Sequence, residues 1–135
     1  MLKHRTKGFS LIELVVVIAI IAVIAAIALP AYGRYAFRAR RADGHELLLR
    51  LAAAQERFYT NRNRYAADVG DLGFSQDTSE GGFYTASIET ANDDQTYTMT
   101  ATPQGVQAAD ACGDLTLTST GRRDRSGEDS NGNCW

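Results

Sequence analysis

The chain has 135 residues, enough for one small globular domain, and its composition is neither collagen-like, disordered nor uniformly apolar. The net charge of −2 conceals an uneven distribution. Residues 1–8 carry three cations and no acid, residues 31–64 carry eight arginines against three acids, and residues 65–135 carry twelve acids against three arginines. A basic middle segment and an acidic C-terminal segment can attract each other between neighbouring copies.

The first predicted element is a membrane-spanning helix. Leu14 to Leu29 are sixteen consecutive uncharged residues, and a helix counted from Phe9 would be about 31 Å long, which matches the hydrocarbon core of a bilayer. The Ala26-Ile27-Ala28 run resembles the cleavage site of a secretory signal. Against that alternative, the apolar run is long, Pro30 follows the supposed cut, and Glu13 lies within the segment. Because an acid in a spanning segment is costly, Glu13 is predicted to be functional.

The residues around Glu13 resemble the N-terminal signature of the type IV pilin and type II secretion pseudopilin superfamily. A basic leader of eight residues ends at Gly8. Counting Phe9 as the first residue after the leader, the acid Glu13 is the fifth, and the apolar run follows it. The short chain and the Cys-Gly and Cys-Trp pairs around a polar loop are most similar to a minor pilin of the PilE type. The resemblance implies the α+β pilin fold, in which one long N-terminal helix packs under a small antiparallel β-meander.

The same resemblance implies a processing step and an assembly role. A prepilin peptidase would cleave between Gly8 and Phe9 on the cytoplasmic side and methylate the new amine of Phe9, which keeps its positive charge. Glu13 would neutralise that ammonium, on its own chain or on a neighbour's, and thereby favour one axial register between subunits. Pro30 lacks a backbone N–H and is predicted to kink or loosen the helix.

After Pro30 the sequence becomes amphipathic. Apolar residues recur at helical spacing and predict that the helix, which begins near Ser10, continues to about Thr60; they are Leu47, Leu51, Ala54 and Phe58. The predicted organisation is therefore a cleaved leader at 1–8, the transmembrane half of the helix at 9–29, an amphipathic stem at 30–60 and a globular β head at 61–135.

Three stretches of the head alternate between apolar and polar residues and predict β-strands. Their apolar positions are Tyr84, Ala86 and Ile88, then Tyr97, Met99 and Ala101, then Leu115 and Leu117. Turn-rich segments at 92–94 and 103–105 separate them. The sequence therefore predicts an antiparallel meander lying on the apolar stripe of the stem, with 61–82 as the connecting loop and 122–133 as a polar C-terminal loop.

Two cysteines, Cys112 and Cys134, lie near the C-terminus. An even count is compatible with one disulfide, which for a loop of this size would contribute roughly 3 kcal/mol; two unpaired buried thiols are the alternative. A disulfide would require an oxidising compartment. Positive charges on the two sides of the apolar segment are nearly balanced. A cytoplasmic leader with a periplasmic head is therefore expected from the cysteines and the resemblance.

No catalytic group emerges from the sequence, so neither an enzyme nor a cofactor is predicted. His4 lies in the leader, and His45 lies on the stem, where a surface residue is a more typical assignment than a base. Acids at 124, 128 and 129 could supply oxygen ligands to calcium, as the pseudopilin branch does in its C-terminal loop. Their spacing does not match the twelve-residue calcium loop, and no metal site is predicted.

The main prediction is a structural subunit, a minor pilin anchored in the inner membrane and then carried into the extracellular pilus, where it supports assembly, motility and adhesion. Its predicted partners are other pilin subunits, the prepilin peptidase, the inner-membrane assembly machinery and the lipid bilayer. A secretion pseudopilin is the alternative within the family. A DNA-uptake pilin is the alternative of another class, with Arg122 and Arg123 as candidate phosphate contacts, although nucleic acid is the less favoured partner.

Overall fold

A computed structural model describes residues 8–135, so residues 1–7 of the predicted leader lie outside the described part of the chain. The elements in chain order are helix α1 (Leu11–Arg62), a 3₁₀ turn (Gly70–Leu72), β1 (Tyr84–Ala91), β2 (Thr96–Pro103), a second 3₁₀ helix (Gly105–Ala109), β3 (Leu115–Thr118) and β4 (Arg123–Arg125). The predicted α+β class and the long N-terminal helix are confirmed, and α1 ends two residues beyond the predicted Thr60.

The chain divides into two compact units, one up to Tyr35 and one from Ala36 to Trp135. The first unit contains the apolar stretch of α1, with a mean hydropathy of 3.2, which by length and composition is able to cross a membrane. Its large apolar side chains are exposed. Helix α1 continues through Pro30, so this proline does not end the helix. A kink at Pro30 stays a prediction.

The second unit contains a four-stranded antiparallel sheet in the order β1-β2-β3-β4. The three predicted strands are confirmed, and the turn at 92–94 joins β1 to β2. Strand β4 is a correction, because 122–133 was predicted to be loop throughout. Its residues, Arg123-Asp124-Arg125, are all exposed and contain no apolar position, so the alternation that indicates a half-buried strand is absent.

The core forms where one face of α1 meets the inner face of the sheet. Leu47, Leu48 and Leu51 of the helix pack in one cluster with the apolar residues of β1, β2 and β3. Gly44 lets the sheet approach, because a Cβ atom there would lie 3.0 Å from the ring of Tyr84. The prediction that Phe58 belongs to this stripe is wrong. Phe58 is only partly buried and contacts the guanidinium of Arg62, because the helix runs past the edge of the core.

Candidate assembly and binding sites

The predicted processing site lies immediately before α1. Gly8, Phe9 and Ser10 precede the helix, and Ser10 Oγ accepts a hydrogen bond from the Glu13 backbone N–H at 3.3 Å, as an N-cap residue does. Phe9 is 81% exposed. A Cβ atom on Gly8 would meet nothing within 4 Å among residues 8–135. Cleavage between Gly8 and Phe9 stays a prediction.

Glu13 lies in the first turn of α1. Its carboxylate makes no hydrogen bond or ion pair within residues 8–135. A carboxylate in a first turn interacts favourably with the positive end of the helix dipole, and that effect alone could explain an acid here. The surrounding helix is apolar and exposed, however, so in a membrane or a helix bundle this carboxylate would require a cationic partner.

Cys112 and Cys134 form the predicted disulfide, with their Cα atoms 5.6 Å apart. Both residues are buried at the end of the hydrophobic core. The bridge holds the C-terminal loop against the start of β3, where Gly127 N–H donates to Cys112 O and Glu128 N–H donates to Ala111 O. The disulfide therefore fixes the polar loop as part of the head.

A buried arginine holds the same loop from the other side. Arg41 Nε and Nη2 donate to the two carboxylate oxygens of Asp110 at 2.6 and 2.7 Å, and Nη1 donates to the carbonyl oxygens of Asn131, Gly132 and Asn133. Arg41 is 2% exposed. The hydrogen bonds to Asp110 raise the pKa of the Arg41 guanidinium. Arg41 belongs to the basic middle segment that was expected to attract neighbouring copies, but its guanidinium is fully engaged by groups of its own head.

Near the Arg41–Asp110 ion pair, the rings of His45 and Trp135 stack in parallel, with their centroids 4.5 Å apart. His45 Nε2 lies 2.7 Å from Cys134 O, and because a carbonyl only accepts hydrogen bonds, Nε2 carries the proton. Burial lowers the pKa of His45, and the nearby guanidiniums of Arg123 and Arg41 lower it further. His45 is thus a half-buried packing residue rather than the surface residue that was predicted.

The family models match both parts of the chain. A model described as prokaryotic N-terminal methylation motif matches residues 3–29, and a model described as type IV minor pilin ComP, DNA uptake sequence receptor, matches residues 30–116, well over half of the chain. The chain belongs to the ComP family of type IV minor pilins.

Among the solved structures that are similar to this minor pilin, one matches along most of the chain. It is a type IV pilin from Shewanella oneidensis, 29% identical, with a TM-score of 0.55 over 73% of this chain and 97% of that chain. No individual curated protein matches the sequence at a significant level. The predictions of a type IV minor pilin and of the pilin fold are confirmed.

Apart from Arg34 and Arg38 near the start of the stem, the exposed arginines of this minor pilin fall into two groups. Arg122 and Arg125 lie in ion pairs with Asp124 and Asp129, at 3.1 and 2.6 Å. Their neighbour Arg123 has its guanidinium 5.4 Å from the centroid of the Trp135 ring. The C-terminal arginines are thus largely engaged by groups of their own head, and two of their three charges are compensated by adjacent carboxylates.

The second group lies where α1 ends, and we call Arg57, Arg62 and Arg64 the stem-end patch. All three are exposed, and none takes part in an ion pair within residues 8–135. Arg62 lies over the ring of Phe58, with its Cζ atom 5.8 Å from the ring centroid. This patch was not predicted from the sequence. An excess of arginine over acid in residues 57–64 was the available signal.

The stem-end patch is fixed to the β1–β2 turn. Tyr59 Oη donates to Gln95 Oε1 at 2.8 Å, Gln95 Nε2 donates to Asn63 O at 3.0 Å, and Tyr65 N–H donates to Asp94 O at 2.8 Å. These bonds order the segment that carries the arginines. The turn also brings Asp94 and its neighbour at position 93 close to the patch, so the local charge is mixed.

The acids of the C-terminal loop have partners of their own. Asp129 accepts from Arg125 through one carboxylate oxygen and from Cys134 N–H through the other, at 3.2 Å. A hydrogen bond from the Arg125 backbone N–H, together with the nearby Arg122, lowers the pKa of Asp124. Asp129 also lies within 4.8 Å of the sulfur atoms of Cys112 and Cys134, but these sulfurs form a disulfide and provide no thiolate for a metal.

Proposed function

We propose that this chain is a minor subunit of the type IV pilus that receives DNA on its head during uptake. The observation that carries the proposal is the match of residues 30–116 to the family of DNA uptake sequence receptors. An ordered arginine patch that forms no ion pair within residues 8–135 is consistent with it. DNA thereby becomes the leading candidate ligand, whereas the sequence alone favoured subunits and lipid as partners.

Membrane anchoring comes first in the proposed sequence of events. The leader lies in the cytoplasm, the apolar half of α1 spans the inner membrane, and the head lies in the periplasm. The disulfide supports this topology, because structural disulfides persist in oxidising compartments. A prepilin peptidase then cleaves the bond between Gly8 and Phe9 and methylates the Phe9 amine.

Glu13 acts in the next step, when the subunit enters the filament. The ammonium of Phe9 is a cation that does not exist before cleavage, and the Glu13 carboxylate is available to neutralise it. In a bundle of apolar helices, either charge alone would be costly, so the pair favours the register in which the two groups meet. Removal of the leader would therefore control when assembly begins.

DNA would bind through phosphate contacts at the stem-end patch. Arginine donates bidentate hydrogen bonds to phosphate, and each neutralised phosphate contributes to a salt-dependent affinity. Arg62 and Arg64 have no carboxylate partner within residues 8–135, so binding DNA would not require an existing ion pair to break. Arg122, which the sequence analysis suggested as a contact, would first have to leave Asp124.

The test is a binding titration of duplex DNA with the full chain in detergent micelles, as a function of salt. We expect the double variant Arg62→Gln, Arg64→Gln to bind at least about tenfold more weakly, because hydrogen bonds to charged groups contribute about 1.5 kcal/mol or more. The slope of log affinity against log salt should decrease in magnitude by about two.

The matched control is Arg122→Gln, which also removes one exposed cation from the head but one that is already ion-paired. We expect its DNA affinity to stay within about twofold of the parent. A parent chain that binds no DNA would refute DNA reception. An Arg122→Gln variant that loses more affinity than the double variant would refute the location at the stem-end patch.

The secretion pseudopilin remains the second candidate function, with calcium expected in the 122–133 loop. The pairing of Asp124 and Asp129 with arginines favours the pilus assignment, because calcium would have to displace both cations. A calcium-dependent increase in the thermal midpoint of the full chain, abolished by Asp129→Asn, would instead support the pseudopilin.

A further inference from the structure

Strand β1 is an edge of the sheet, and its outer edge is only partly covered. Ser79 N–H donates to Tyr84 O, and Ala86 N–H donates to Asp77 O, so residues 77–79 pair with the first half of the strand. In an antiparallel ladder, alternate residues point their backbone groups to opposite sides. The backbone groups of Ile88 and Thr90 therefore point to the same open side as those of Ala86.

The second half of this edge has no paired strand within residues 8–135. No backbone hydrogen bond from another segment reaches Ile88 or Thr90. Folded proteins normally protect such a row of donors and acceptors, since it is a template for another strand. The exposed row is consequently a candidate binding edge.

A cleft of about 770 Å³ lies beside this edge, and we call it the β1 cleft. Its walls are residues 67–70 and 74–78 of the connecting loop and residues 86–88 of β1. Phe74 and Ile88 contribute apolar surface, both partly exposed. The volume is within the range of roughly 300–1,000 Å³ that is typical of ligand sites in proteins.

The charge of the β1 cleft is negative. Its lining contains Asp68 and Asp77 and no lysine or arginine, and Glu89 is exposed on the adjoining strand. Asp68 and Asp77 accept hydrogen bonds from the adjacent Gly70 N–H and Thr78 hydroxyl, and neither forms an ion pair within the described residues. The Arg50 guanidinium, 5.6 Å from the centroid of the Phe74 ring, is already paired with Glu80. Such a site repels phosphate, which separates it from DNA binding.

We infer that the β1 cleft binds an extended segment of a partner protein that carries basic side chains, added to the sheet as a fifth strand. The backbone of the added strand bonds to Ile88 and Thr90. Its side chains alternate, so apolar ones lie against Phe74 and Ile88 and basic ones reach the carboxylates. Backbone pairing supplies affinity, and the acids select the partner by charge.

A second copy of this chain does not fit this edge through its own basic strand. On β4 the Arg125 backbone N–H is already bonded to the Asp124 carboxylate, at 2.9 Å, and the side chains of Arg122 and Arg125 are ion-paired within their own head. Pairing through β4 would require these contacts to break. We therefore take a different polypeptide, rather than β4 of a second copy, as the occupant.

The test uses the full chain in detergent micelles and a blocked heptapeptide in which arginine and valine alternate. We expect saturating peptide to slow hydrogen exchange at the Ile88 and Thr90 amides at least tenfold, measured by NMR. A peptide with glutamate in place of arginine should have no effect. Affinity for the arginine peptide should fall with increasing salt.

Two variants locate the site. Ile88→Pro removes an outward N–H without touching the β1–β2 ladder and should abolish peptide binding. Ile88→Ala keeps that N–H and removes only side-chain contact, so it should weaken binding less than the proline variant does. Asp68→Asn with Asp77→Asn keeps the acceptor oxygens, removes both charges and should weaken binding at least threefold even if the proline variant fails to fold. The DNA affinity of the Asp68→Asn, Asp77→Asn double variant should be unchanged. Strand addition at the β1 cleft and DNA binding at the stem-end patch can therefore fail separately.

Three results would overturn the inference: equal binding of the glutamate peptide, protection of amides away from β1, or unchanged binding by the Asp68→Asn, Asp77→Asn variant. Protection of the Ile88 amide that increases with protein concentration in the absence of peptide would also overturn it, because it would identify a second copy as the occupant.

Discussion

The two halves of α1 contrast in where their side chains find partners. From Leu11 to Tyr35, the large apolar residues are exposed, many of them by more than half of their surface. In the half that follows, Leu47, Leu48 and Leu51 are buried against the sheet. The second half packs against its own head, whereas the first half exposes an apolar surface of the kind that lipid or other helices cover.

The same contrast applies to the charges on the helix. Arg41 is buried and every donor group of its guanidinium has an acceptor in the head. Glu13 has no side-chain partner within residues 8–135. Changing Arg41 is therefore expected to affect the stability of one subunit, and changing Glu13 is expected to affect association between subunits.

The largest expected effect is on assembly. Glu13→Gln should reduce incorporation into filaments more than about tenfold, since the ammonium of Phe9 would be left unpaired among apolar helices, at a cost of several kcal/mol. The amount in the membrane should stay unchanged. Quantitative immunoblots of sheared pili and membranes measure both. Glu46→Gln, at an exposed acid in the second half of α1, is the control and should incorporate normally.

The next effect is on the stability of the head. Arg41→Ala leaves the Asp110 carboxylate buried without its cation and should lower the free energy of unfolding by about 3–5 kcal/mol. Denaturant unfolding of the full chain in micelles, followed by fluorescence of Trp135, measures it. Arg122→Ala removes an exposed ion pair and should leave the midpoint unchanged. Equal losses in the two variants would contradict the distinction between them.

The smallest effect is a pH dependence from His45. Its pKa is lowered in the folded state, so the unfolded state takes up the proton first as pH falls below the ordinary value of about 6.5. The contribution of His45 to the free energy of unfolding is thus fully present above about pH 6.5. It decreases on acidification until the pH reaches the folded-state pKa of His45. Thermal midpoints of the parent and His45→Gln should converge as pH is lowered. A constant difference across this range would show that His45 contributes packing alone.

Local pattern predicted much of the fold. The period-two alternation located β1, β2 and β3, and their predicted inward residues Tyr84, Met99 and Leu115 are buried. The same reasoning missed β4, because a short edge strand of charged residues buries no face and leaves no alternation. Phe58 was misassigned because helical spacing identifies one face of a helix but not where the opposing sheet ends.

The functional sites were also predictable only where their residues are close together in the sequence. The N-terminal signature is contiguous in sequence, so Gly8, Phe9 and Glu13 could be identified as a set. Arg41 could not be identified in this way, because its partners lie 69 to 92 positions away in the sequence. Nothing in the local sequence distinguishes it from the exposed Arg38 on the same stem. The stem-end patch is defined by missing ion pairs, which only the folded chain reveals.

The central claim is that the first half of α1 acquires its cationic partner when the leader is removed. Mass analysis of the N-terminal peptide, from protein isolated from its host's membranes and pili, tests this most directly. We expect an N-terminus at Phe9 that carries one added methyl group. An N-terminus at Met1 in assembled filaments, or an unmodified N-terminus at another residue, would contradict it.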